Sequence, residues 1–205
     1  MLNRPLFTVA LVWLTLTVLN SAARAEPPPS SKVVFVIVDG IPADTIERVP
    51  TPTIDAIAAE GGYGRATVGG PIGELAETPT ISAPGYMSLI TGTWANKHNV
   101  YKNYGISPDY SYWNLFRLAR SERPELRLGI FSTWTDNRTI LLGEGLAEGG
   151  NWRFDVVVDG LEKREARLPP EPMDVRIADI DDAVSREAAR LIESEGPDLS
   201  WVYLQ

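Results

Sequence analysis

The chain has 205 residues and a formal net charge of −8, a balance that argues against a nucleic-acid partner. It contains no cysteine, which excludes disulfides, thiolate zinc sites and lipid attachment at a thiol. The length suits one domain, and an apolar fraction of 44% permits a core that holds without cross-links.

Residues 1–25 combine Arg4, an apolar run from Leu6 to Leu19 and the triplet Ala23-Arg24-Ala25. That order reads as a secretory signal peptide with an A-x-A cleavage site, so the protein is expected to be exported, to the periplasm or the medium. The run is too short and too rich in Thr for a stable membrane span; an uncleaved anchor is the alternative. Residues 26–31, with Pro27-Pro28-Pro29, read as a stiff linker, which leaves 32–205 as the folded part.

Val33–Val38 is six apolar, mostly β-branched residues, and it predicts a buried parallel strand. It ends in Asp39-Gly40. Ligands in open α/β sheets bind beyond the carboxyl ends of strands, so Asp39 is placed to reach a ligand or a hard cation. Asp-Gly is equally an ordinary turn. Thr51 then caps a helix from Pro52 to Glu60, with Gly61 as its stop. Tyr63–Val68 reads as a strand, and Gly69–Thr80 as a Gly- and Pro-rich loop approaching the site.

Thr80-Ile81-Ser82-Ala83-Pro84 opens the next helix, carried by Met87, Leu89 and Ile90 and stopped at Thr91-Gly92. Ser82 falls at the cap, against unpaired backbone N–H groups and the positive end of the helix dipole. That is a place for a hydroxyl nucleophile beside an oxyanion such as phosphate. A Ser that only caps a helix is the plain alternative, and Thr80 is a second hydroxyl nearby.

Further on, Ser111–Arg120 predicts an amphipathic helix with Trp113, Phe116 and Leu118 on its apolar face. Leu128–Ser132 predicts a core strand, followed by Trp134-Thr135-Asp136-Asn137 at its end. Trp134 reads as core packing, with a substrate platform as the alternative. Phe154–Val158 is a short strand closed by a turn at Asp159-Gly160. Residues 167–173 form a Pro-rich loop. Asp181–Ser194 is a helix with Val184, Ala188, Leu191 and Ile192 on one face, and Leu199–Leu204 is a final strand. The alternation of strand and helix predicts an α/β fold: a mostly parallel sheet sandwiched by helices. No G-x-G-x-x-G follows the first strand, which disfavours a dinucleotide-binding domain.

Three pieces in order resemble the alkaline phosphatase superfamily, and most closely its nucleotide pyrophosphatase/phosphodiesterase branch. They are VVFVIVDG, the T-P-T-I-D-A-I-A-A-E-G helix, and S-x-P-x-x-x-x-L-x-T-G followed by Trp94-Ala95-Asn96-Lys97-His98-Asn99-Val100-Tyr101-Lys102-Asn103. The resemblance implies an alkaline-phosphatase-like catalytic domain. It puts Ser82 on the nucleophile, Asn103 on a phosphate-contacting position, and Asp39 and Ser82 on metal-ligand positions. It implies two divalent metals, usually zinc, and a small-molecule phosphate ester as substrate, diester or monoester. Ser82 departs from the Thr usual in the branch. Ala83 replaces an aromatic that stacks on bases in nucleotide-cleaving relatives, Gly85 replaces an Asn, and Asn99 replaces a Gly.

In that family the last strand leads into a D-x-x-G-H segment, and further Asp and His ligands follow. This sequence has one histidine, His98, for which a structural role orienting the Asn103 loop is expected and metal ligation is the alternative. Two oxygens do not hold two zinc ions tightly. The chain is therefore expected to be the N-terminal portion of a longer hydrolase, with little metal binding or activity by itself. A non-catalytic oxyanion-binding domain and a phosphoryl transferase are the alternative functions.

Overall fold

A computed structural model describes residues 31–165 and 172–205. The signal and linker readings, and most of the Pro-rich loop, lie outside the described residues.

Four parallel strands form one sheet, β1 (Val33–Val38), β2 (Leu128–Ser132), β3 (Val156–Val158) and β4 (Leu199–Leu204), in the order β1-β4-β2-β3. The helices are α1 (Ala43–Ile46), α2 (Pro52–Glu60), α3 (Ser82–Thr91), α4 (Ala95–His98), α5 (Leu115–Glu122), α6 (Leu161–Glu165) and α7 (Met173–Glu195). A π-helical turn at Asn137–Leu141 follows β2. This is the expected α/β architecture.

Register sorts the side chains. Val33 pairs with Leu199 and Leu128 with Leu199, so Phe35, Ile37, Leu128, Ile130, Trp201 and Tyr203 share one face. They pack with Tyr86, Met87 and Ile90 of α3 and with Phe116 of α5. Phe131, Val156 and Val202 point the other way, onto Ile180, Val184, Ala188 and Leu191 of α7. These four recur at intervals of three or four residues, the period of one helix face. Trp201, Phe131 and Phe116 are fully buried, each contributing about 2–3 kcal/mol by removal from water.

Several expectations are corrected. Strand β1 is not buried on both sides. It is an edge strand, and α7 packs across β2, β3 and β4 only, so Val34, Val36 and Val38 remain 43–52% exposed. Tyr63–Val68 is not a strand; no neighbour offers it a ladder. Helix α5 starts four residues later than expected, because Asn114 caps it, accepting from the amides of Phe116 (3.0 Å) and Arg117 (2.9 Å). Trp113 and Leu118 are consequently exposed, and Trp113 carries the Arg117 guanidinium over its ring at 4.2 Å. Helix α7 begins at Met173 rather than Asp181. The predicted 154–158 strand shortens to three residues. Among the described residues no helix is long and apolar enough to cross a membrane.

Candidate functional site

The carboxyl edge of the sheet brings three sequence-selected residues together. The Asp39 amide donates to the Leu204 carbonyl at 2.9 Å, extending the β1–β4 ladder one step beyond the strand. The chain then turns at Gly40, whose φ of +72° suits glycine. That turn fixes the Asp39 carboxylate: Oδ1 accepts from the Gly40 amide at 2.8 Å and Oδ2 accepts from Ser82 Oγ at 2.7 Å.

Ser82 does not cap α3 with its side chain. Ile81 is the cap residue and Ser82 the first residue of the helix, so the hydroxyl is free to reach across to Asp39. Helix α3 ends at Gly92 with φ +65°. Thr80 is exposed and makes no hydrogen bond to Asp39; of the two candidate hydroxyls, Ser82 is the one oriented by a carboxylate.

Asn103 arrives from the loop after α4. Its Oδ1 accepts from the Ala83 amide at 2.9 Å, which assigns the amide orientation and leaves Nδ2 without a partner among the described residues. Ser82, Asn103, Trp134, Tyr203 and Gln205 line a cavity of about 200 Å³. Trp134 packs partly on the core, as expected, and also lines this cavity. A wider, mostly aliphatic groove of about 750 Å³ reaches Asp39 and Ser82 from the β1 side, past Ile41, Val68, Ile81 and Leu89.

The backbone amides of Ala83 and Gly85 lie in the first turn of α3, where an oxyanion was expected. Both are committed elsewhere, Ala83 to Asn103 Oδ1 and Gly85 to the Ile81 carbonyl at 3.0 Å. The sequence did not single out Tyr86 and Tyr203. Both phenols are almost fully buried, and Tyr86 Oη donates to Tyr203 Oη at 3.0 Å. Burial, with Asp39 nearby as a further cause, pushes Tyr86 far above the ordinary phenol range; burial raises Tyr203 as well. Both stay protonated. Their i, i+4 relation to Ser82 in one case and the adjacency to the strand end in the other were the available signals.

His98 is fully buried away from the cavity. Its Nδ1 accepts from the Val100 amide at 3.1 Å, so Nε2 carries the proton and faces Ser88 Oγ at 3.1 Å, which in turn donates to the Pro84 carbonyl at 2.8 Å. Burial lowers its pKa to about 4. Its position ties α3 to the segment leading to Asn103.

Among the described residues no group of three or more His, Cys, Asp or Glu side chains converges. One carboxylate and one hydroxyl do not fit a two-zinc centre; they fit part of the shell of a single oxygen-seeking cation.

Over residues 33–194 the chain matches the family described as type I phosphodiesterase / nucleotide pyrophosphatase. Comparison with curated proteins gives no match, and neither does comparison with solved structures.

Proposed function

The chain belongs to the type I phosphodiesterase / nucleotide pyrophosphatase family, part of the alkaline phosphatase superfamily, and on that premise we propose that it cleaves small phosphate esters through Ser82. Members of the family are phosphate-ester hydrolases and are generally metal-dependent. The observation that carries the reading is the 2.7 Å bond from Ser82 Oγ to Asp39 Oδ2 at the rim of a cavity that Asn103 also lines.

The chain's own groups suggest the following course. Asp39 Oδ2 takes the Ser82 proton as Oγ bonds to phosphorus; the ester oxygen leaves and is protonated by water. Asn103 Nδ2 donates to a non-bridging oxygen, where charge develops. Water then cleaves the phosphoserine, returning the proton to Ser82 and releasing phosphate or its monoester. Asp39 and Ser82 are the residues that would contribute oxygens to one divalent cation, zinc by family habit, and its chemistry there is stabilisation of the serine oxyanion. No second ion is assigned to these residues.

Hydrolysis of a chromogenic aryl phosphate diester and monoester, with Zn²⁺ or Mn²⁺ supplied to the full chain, tests the reading. Slow turnover in the unsubstituted chain, in keeping with the sparse metal donors among the described residues, and loss of that turnover in Ser82→Ala are expected. Near-normal turnover in that variant removes Ser82 from the role. Added alcohol separates transfer from hydrolysis, since a transferase yields the new ester.

The sparse donor set favours one second reading, an oxyanion-binding domain without turnover. Phosphate binding with no hydrolysis at any ion tried is its signature.

A further inference from the structure

The cavity beside Ser82 is meant, on the proposed function, for an anion, yet Ser82 is itself bonded to the Asp39 carboxylate and two nearby amides are already spent. Ala83 N–H is bonded to Asn103 Oδ1 and Gly85 N–H to the Ile81 carbonyl. An anion placed next to Asp39 needs donors to offset that repulsion. Counting hydrogens identifies one. A phenol has one hydrogen and can also accept. Tyr86 spends its hydrogen on Tyr203 Oη at 3.0 Å. The hydrogen of Tyr203 has the Asp39 carboxylate as a nearby acceptor, with no bond of normal geometry formed to it, and the side chain is 2% exposed and lines the same cavity as Ser82 and Asn103.

The placement is rigid. Tyr203 is held between β1 and β2, opposite Ile37 and Ser132, and its ring meets Tyr86 edge-on at 5.1 Å between centroids. Tyr86 is one helical turn after Ser82, so the same helix that carries the hydroxyl also supplies the donor that orients the Tyr203 phenol.

We infer that the Tyr203 hydroxyl, oriented by Tyr86, donates a hydrogen bond to the oxyanion bound beside Ser82, as a partner to Asn103 Nδ2. It rests on the proposed function for the identity of the anion. A donor to a charged oxygen in a partly open cavity is worth roughly a tenfold change in affinity.

Inorganic phosphate is the probe, titrated by calorimetry into the full chain and into Tyr203→Phe and Tyr86→Phe. Both substitutions keep the ring and its packing, and circular dichroism checks the fold. A purely structural pair predicts equal effects, because either change breaks the same bond. The inference predicts that Tyr203→Phe weakens phosphate binding by about tenfold or more while Tyr86→Phe, which retains the donor, weakens it by less than about threefold. Equal losses overturn it. So does unchanged binding in Tyr203→Phe, the result if Asp39 is the true acceptor, and so does absence of phosphate binding by the unsubstituted chain. Binding is read without turnover, so a chain that binds phosphate but hydrolyses nothing defeats the hydrolase reading and leaves this comparison standing.

Discussion

Ser82 and Asp39 lie 43 positions apart in the chain and meet at 2.7 Å, hydroxyl to carboxylate, where the first turn of α3 faces the end of β1. The Tyr86 and Tyr203 phenols stand close to the same carboxylate, so the pair sits in a small polar cluster. Ser82 also lines the cavity that Asn103 lines. A proton acceptor at this distance is within reach for direct transfer.

Asp39→Asn keeps the shape and the Gly40 contact to Oδ1 but removes the charge that draws the Ser82 proton. Turnover of the aryl ester is expected to fall by about 100-fold or more, mainly in kcat. Asp39 is only half-buried, and a thermal midpoint close to that of the parent is expected. A variant with unchanged kcat would show that Asp39 is a turn residue and nothing more.

Asn103 has two jobs that substitution separates. Its Oδ1 holds the Ala83 amide, and its Nδ2 faces the cavity. Asn103→Asp retains the acceptor and replaces the donor with a second carboxylate. Asn103→Ala removes both. Turnover is expected to fall by roughly 100-fold in either, with Asn103→Asp the worse for phosphate affinity because of like-charge repulsion. Phosphate titration of the two variants checks the order; tighter binding in Asn103→Asp contradicts the assignment.

Stability away from the site concentrates at Arg138, on the π-turn after β2. Its guanidinium bonds Asp159 at 2.6 Å and Glu144 at 2.5 Å, and those side chains are only 8% and 4% exposed. Removing the cation strands two carboxylates in the protein. Arg138→Ala is expected to cost about 3–5 kcal/mol. The pair Arg190–Glu187 on the outer face of α7 is exposed at both ends, and Arg190→Ala is expected to change stability by under about 1 kcal/mol. Urea midpoints of the two variants make the comparison.

The local signals in the sequence were read well where one element decides the outcome. The Val33–Val38 run, the Pro52–Glu60 helix with its proline start and glycine stop, and the helix from Ser82 to Gly92 all follow from periodicity and caps. What was not legible depends on partners distant in sequence. Composition says that Val34, Val36 and Val38 belong in a strand. It does not say that β1 pairs on one side only, with β4, and that no helix covers them. Nor does a run of aromatics at the chain's last strand reveal that Tyr203 meets Tyr86 across 117 positions. The site was legible as separate motifs, Asp39, Ser82 and Asn103, because each ends or follows a recognisable element. The spending of the Ala83 and Gly85 amides was hidden, because it depends on where the Asn103 side chain lands.

His98 predicts how the fold responds to acid. Its Nδ1 must stay unprotonated to accept from Val100, and burial depresses its pKa from 6.5 to about 4. The unfolded chain takes up the proton first, near pH 6.5, while the folded chain resists until about pH 4. The contribution is therefore complete above pH 6.5 and drains away as pH falls toward 4, so stability falls with acid through that window. Between pH 7 and pH 5 the loss is about 2 kcal/mol, or roughly 4–8 °C in thermal midpoint for a domain of this size. The carboxylates held low by hydrogen bonds or ion pairs, Glu47 by Arg65 and Asp198 by Lys32, act at lower pH, where carboxylates begin to protonate. The interval from pH 7 to pH 5 thus isolates the histidine. His98→Gln is expected to start less stable and to lose this slope, because glutamine does not titrate. A variant that keeps the full slope would place its origin elsewhere than His98.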